Sequence, residues 1–280
     1  MSKVRFHLYR YQLLPKDRFF QGDLLGPKSI DELIKQKNSI FASALSSSVA
    51  FKSQKTAIVV KQTYKDEDFQ LFLVAVNRSI NVETVDFNYS SADTWPKIHV
   101  AVWNSDSTQV VAIQHRPVAF QRPIVLAKIL FSSIEETLAR QQLVAEWEPM
   151  FEKRVFWDMI DKYQGRIKKV EFELVTPNMA GISKVLPEAL KEFAKRTNTV
   201  RSVIALEADE DSALKLEKDD PMVEGLTSYT SDGGGNISVK IRGIKKVMKT
   251  STSVKEIEIE DAELNGDASI VAEILKGLMK

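Results

Sequence analysis

The first half of the chain alternates. In "KVRFHLYRY", Val4, Phe6 and Leu8 fall on one side and Lys3, Arg5, His7 and Tyr9 on the other, the period of a strand with one buried face. The segments "TAIVVKQTY", "FQLFLVAVNRSI", "NVETVDFNY", "KIHVAVWN" and "QVVAIQH" come next, rich in β-branched and aromatic residues, with "KDED", "SSADTWP" and "SDST" as turn material between them. The pattern predicts an antiparallel meander with two helical interruptions. Ser29 is placed to cap "SIDELIKQKNSIFASAL", with Glu32 at the capping-box position, and a second helix begins at Pro123 in "PIVLAKILFSSIEETLARQQ".

The segment "LVAEWEPMFEKRVFWDMIDKYQG" reads as a junction: a short strand to Pro149, then a helix stopping near Gly165 and apolar over much of its circumference through Met150, Phe151, Val155, Trp157, Met159 and Ile160. Such a helix is expected to be buried, as the seam between two halves. After it come strand "RIKKVEFELV", helix "ISKVLPEALKEFAKRT", strands "VRSVIALEAD" and "SALKLEKD", a helix capped by Asp220 with Pro221 at its first position, and strand "NISVKIRG". That order is the βαββαβ of ferredoxin-like domains. The expected class is therefore α+β: a strand-rich N-terminal domain over residues 1–148, a linking helix over 149–164, and a ferredoxin-like C-terminal domain with an appended tail over 165–280. In this reading the first and fourth strands of the second domain are not neighbours.

The stretch "TSDGGGNISVKIRGIKKVMK" carries the strongest local signal. A phosphate loop sets its glycines before a helix, where free N–H groups and the positive dipole end face the anion. Here Gly233, Gly234 and Gly235 come after a helix and precede a strand, so they read as a helix stop and tight turn. The basic residues beyond them, Lys240, Arg242, Lys245, Lys246 and Lys249, can join Arg166, Lys168 and Lys169 from the start of the domain. They form either a solvated face or a patch that tracks a phosphate backbone without reading bases.

Other chemistries find less support. The open-face positions Glu171, Glu173, Lys215, Glu217, Lys240 and Arg242 include no aromatic platform for stacking single-stranded RNA. His7, His99 and His115 lie in separate strands with no metal-ligand spacing, and no nucleophile elbow is present, so no catalytic residue, metal ligand or cofactor is expected. The acidic run "EADEDSALKLEKDD" lacks the glycine and terminal glutamate of a calcium loop.

Composition narrows the setting. A formal net charge of +1 gives no global attraction to nucleic acid or anionic membrane, so any such binding must be local. With no cysteine there are no disulfides and no thiolate sites. No apolar run spans a membrane and the N-terminus lacks a secretory pattern, which makes a cytoplasmic protein without membrane insertion the expectation.

The layout of "DSALKLEKDDPMVEGLTSYTSDGGGNISVKIRG", preceded by a strand meander, "AEWEPMF" and "GRIKKVEFEL", resembles that of RexA-type phage-exclusion proteins. The resemblance is one of pattern along most of the chain, and no catalytic motif transfers with it. It implies a bacterial antiphage protein: a DNA-binding, dimer-forming sensor that acts with a partner effector. The near-neutral charge departs from that family. The preferred expectation is thus a non-catalytic, DNA-associated component of an abortive-infection system, with a protein partner or homodimer. The alternatives are a protein-interaction subunit of a defence complex, through strand edges or the helix near Trp157, and a metal-dependent nuclease.

Overall fold

The computed structural model describes residues 3–16, 27, 29–47, 50–175, 192, 196–197 and 199–279. Five α-helices and mostly antiparallel strands make the described part a mixed α and β protein. It divides into two compact units, and the division is not where the pattern put it. One unit comprises Met1–His7, Leu13–Ala145 and Glu256–Lys280, the other Leu8–Gln12 and Glu146–Lys255. The C-terminal tail therefore belongs with the first unit, and the junction helix with the second.

The first unit is built on strands β1 (Lys3–Pro15), β2 (Ile58–Lys65), β3 (Phe69–Val76), β6 (Lys97–Asn104), β7 (Gln109–Gln114) and β13 (Glu256–Glu260), in the order β13-β1-β7-β6-β3-β2, with β8 (Leu143–Pro149) also paired to β1. The run β2–β3–β6–β7 is the expected antiparallel meander. Its centre is apolar on both faces: in "FQLFLVAV" only Leu73 and Ala75 are not fully buried. Helices cover it. In α1 (Ile30–Leu45) Ser29 accepts the Glu32 N–H at 3.2 Å, as the cap predicts, and Phe41 stacks on Phe131 of α2 (Pro123–Arg140). A third helix, α5 (Ala268–Gly277), contacts β2, β3 and β6.

Two segments read as single strands turn out otherwise. "FQLFLVAVNRSI" breaks at Asn77, and "NVETVDFNY" contains a hairpin turn at Thr84–Asn88. Beyond Asn77 the chain forms a separate ribbon of β4 (Arg78–Glu83) and β5 (Tyr89–Thr94). The reason is hydrophobic density: β3 is buried along its length, whereas "RSINVE" has one half-buried residue and five exposed ones.

The second unit centres on β9 (Ile167–Val175), which takes β10 (Arg201–Glu207) on one edge and β11 (Gly235–Ile241) on the other, with the short β12 (Met248–Lys249) beyond β11. Two expectations are corrected here. The strands expected first and fourth, β9 and β11, are antiparallel neighbours. "SALKLEKD" is not a strand: the segment runs as a loop, touching the start of β9 through the Leu214 N–H, which donates to Ile167 O at 2.9 Å. With β10 directly antiparallel to β9, the sheet lacks the split βαβ order. The helix expected in "ISKVLPEALKEFAKRT" falls outside the described residues but for Glu192, Arg196 and Thr197.

The core of this unit lies under one sheet face, where Ile167, Val170, Phe172, Leu174, Ile237 and Val239 meet Phe156, Trp157 and Ile160 of α3 (Lys153–Lys162) and Leu226 and Tyr229 of α4 (Pro221–Tyr229). Trp157 is only 8% exposed, so it offers no docking surface. Asp220 caps α4 by accepting the Met222 and Val223 N–H groups, both at 2.9 Å. The glycines then end α4 as read, and they do more than turn the chain. Gly235, at φ +153°, lies so close to β9 that a Cβ there would fall 1.8 Å from Glu173 O.

Candidate nucleic-acid interface

The second unit's sheet buries one face and opens the other. Period-two alternation places Lys169, Glu171 and Glu173 of β9 on the open face with Asn236, Ser238 and Lys240 of β11, while Val170, Phe172, Ile237 and Val239 point to the core. Register then sets the rungs. Lys240 stands directly across from Lys169, Ser238 from Glu171, and on the far side Glu207 of β10 faces Lys169. β12 adds Lys249 opposite Ser238.

The eight predicted cations are brought to one end of one sheet, and they split by what they do. Lys169 is committed: it pairs with Glu171 at 3.0 Å and Glu207 at 3.4 Å. The hydrogen bond with Glu171 raises the lysine pKa and lowers that of the carboxyl. Lys168 is committed too, its ammonium donating to the carbonyls of Asp209, Glu210 and Ser212. Arg242 donates to the carbonyls of Glu210 at 3.3 Å and Ser212 at 3.0 Å, and Arg166 to that of Arg242 at 2.9 Å. Lys168 and Arg242 hold the acidic loop 208–216 against the end of the sheet, and Arg166 braces the backbone of Arg242. Lys240, Lys245, Lys246 and Lys249 are exposed and have no ion-pair partner among the described residues.

Lys246 and Lys249 also rim a cleft of about 510 Å³ whose floor is Val155, Met159, Tyr163, Val247 and Met248. A flat or aliphatic group carrying a negative charge suits such a cleft, with its apolar part on the floor and its charge at the rim.

Elsewhere in this unit Glu146, Glu148 and Glu173 converge, but on Arg201, at 2.8, 3.1 and 2.6 Å respectively. Burial raises the Glu148 pKa and Arg201 opposes it. On Arg201 itself burial works against the charge, and the hydrogen bonds to the glutamates outweigh it, so the guanidinium stays above its ordinary value. An arginine that neutralises three acids builds a structural network, not the metal-plus-lysine site a nuclease needs.

The pattern missed one gathering. His7, His99 and His115 lie on or at the ends of β1, β6 and β7, adjacent strands of the first unit. No spacing signals this, because pairing through the sheet brings them together. Among the described residues no helix is long and apolar enough to cross a membrane. The chain matches no known family, no curated protein and no solved structure.

Proposed function

We propose that the protein is a non-catalytic, DNA-associated sensor or subunit of an antiphage system, gripping phosphates through Lys240, Lys245, Lys246 and Lys249. One observation carries the reading. Lys240 sits directly opposite Lys169, a like-charge rung that costs stability, and both nearby acids, Glu171 and Glu207, serve Lys169. An arrangement that leaves Lys240 without an acid of its own suits an external polyanion. Arg166, Lys168 and Arg242 then position that end of the sheet and are not themselves the phosphate contacts. The antiphage setting and the partner effector rest on the RexA-type resemblance.

The test is binding of labelled duplex DNA across a salt series, with and without magnesium. Affinity should fall steeply with salt while the DNA stays intact. Reversing Lys240, Lys245, Lys246 and Lys249 to glutamate should weaken all sequences alike and reduce the salt slope by about 0.9 for each phosphate that the variant no longer neutralises. Unchanged affinity in that variant removes the patch as the binding surface.

A second reading, a protein-interaction subunit or homodimer, is favoured by the β4–β5 ribbon. Val85 and Phe87 at its tip are 93% and 92% exposed. Phe87 also holds φ +59°, which glycine or asparagine adopts at far less cost. An exposed aromatic kept in a strained turn fits a contact residue better than a turn former. Phe87→Asn should preserve stability and abolish concentration-dependent association in sedimentation; association unaltered by the change sinks this reading.

A further inference from the structure

The chain's three histidines stand at residues 7, 99 and 115, yet the first unit's sheet sets them on neighbouring strands. His115 comes directly after β7, and its N–H donates to Arg5 O at 2.7 Å, which fixes it beside β1. There its ring meets the ring of His7 edge to face, with centroids 4.9 Å apart. From the other side of β1, β13 places Glu256 directly opposite His7, Glu258 opposite Arg5 and Glu260 opposite Lys3. Glu256 takes Arg5 on Oε2 at 3.3 Å and keeps Oε1 2.9 Å from His7 Nε2. That nitrogen is buried, and its approach to the carboxylate lacks the alignment of a hydrogen bond.

We propose that His7, His115 and Glu256 bind one divalent transition-metal ion of the zinc class. One donor atom from each residue lies within 4.8 Å of the others. A tetrahedral zinc with bonds near 2.0–2.1 Å asks for donors roughly 3.4 Å apart, so small side-chain rotations close the set. Two imidazoles and a carboxylate select zinc and its neighbours over calcium or magnesium, which take oxygen ligands. Three protein ligands leave a fourth position. His115 also lines a cleft of about 540 Å³, together with Lys3, Arg5, Lys97 and Arg116.

The rival account is that His7 is only the last rung of a charge ladder, after Lys3–Glu258 and Arg5–Glu256. A ladder accounts for Glu256. It gives no role to His115, whose ring is held against that of His7. A bound ion uses all three groups and ties β13 to β1 and to the residue just after β7.

The experiment titrates the metal-free full chain with cobalt(II), tracks the visible ligand-field bands, and then displaces the cobalt with zinc. One equivalent of cobalt should give tetrahedral bands that zinc abolishes, and zinc but not magnesium should raise the melting temperature. His115→Ala leaves the ladder intact and should weaken metal binding by at least about tenfold, no less than outer-shell changes do. Glu256→Gln should do the same. No cobalt uptake, or uptake that His115→Ala leaves unaltered, overturns the site. Should a variant fail to fold, the wild-type shift with zinc against magnesium decides alone: no difference between the two metals also overturns it.

Discussion

Each unit carries a column of charges on paired strands, and the two columns are resolved in opposite ways. In the first unit the charged rungs join unlike groups, Lys3 facing Glu260 and Arg5 facing Glu258, while His7, whose pKa burial lowers, faces Glu256. In the second, Lys240 faces Lys169, and the acids beside them answer only one of the two. At its Lys3 and Arg5 positions the first column is self-contained. Exposed pairs of this kind contribute about 0–1 kcal/mol each, so their main effect is on register: a one-residue slip of β13 would turn its glutamates to the other face. The second column is left incomplete by the protein itself. Complementarity within the chain thus marks a joint, and on the reading proposed above the column that lacks it is the one offered to an external polyanion.

The most damaging way to break this contrast is to remove the register of β11. Gly235→Ala puts a Cβ where Glu173 O already lies and forces a glycine-only backbone conformation at φ +153° on a residue that resists it. The expected loss is about 3 kcal/mol or more in urea unfolding. Salt-dependent DNA binding should fall with it, since Lys240 and Lys169 lose their common rung. An alanine variant as stable as the wild type would mean that β11 does not depend on this close approach.

How far the pattern along the chain foretold this depends on whether each feature is local. Ser29 and Asp220 announce their caps because a cap is made within three residues. The strands of the first meander announce themselves by alternation, and the glycines by their place after a helix. The return of β13 to β1 was not legible, because "EIEIE" states a strand but not its partner. The topology of the second sheet is not legible for the same reason: "SALKLEKD" alternates well enough for a strand, but alternation does not say which strands β9 pairs with, and those are β10 and β11. Among the candidate site residues, the basic set was visible as a run of charge. Its division into held and available cations was not, since that depends on loop carbonyls contributed by residues 209–212. His115 beside His7 needs the whole strand order before it can be seen.

Arg201 sharpens the comparison, because here the second unit also completes itself. Removing the guanidinium leaves Glu146, Glu148 and Glu173 gathered without a cation, and Arg201→Ala is expected to cost about 2 kcal/mol, less than a fully buried pair because the arginine side chain is 40% exposed. The sign with pH comes from Glu148. Burial raises its folded pKa above the ordinary 4.5, and loss of Arg201 raises it further. Such a group favours the fold when protonated, and that contribution disappears as pH rises through the folded pKa. The penalty of Arg201→Ala should therefore grow from about pH 5 to about pH 8 in urea unfolding. A penalty that shrinks over that range would show that the carboxylates are not the source of the loss.

The smallest expected effect tests whether the joint in the first unit relies on charge at all. Lys276 of α5 pairs with Asp66, and its ammonium lies 4.9 Å from the centroid of the Tyr64 ring and 5.4 Å from that of Phe69. Burial works against the charge of Asp66, but the bonds from Lys276 and from the Asp68 N–H keep its pKa below the ordinary 3.8. A carboxyl lowered in this way stabilises the fold above its unfolded pKa, and the contribution is lost as pH falls through the folded value. Lys276→Met keeps the apolar stem over the two rings and deletes the ion pair and the cation–π interaction. It should cost about 1 kcal/mol near neutral pH and flatten the loss of stability on the acid side. If the cost persists unchanged after Asp66 is protonated, the ring interaction carries it; if it vanishes there, the pair does. The second outcome makes α5, like β13, a segment fastened to the first unit by complementary charge, which is the property the open lysines of the second unit lack.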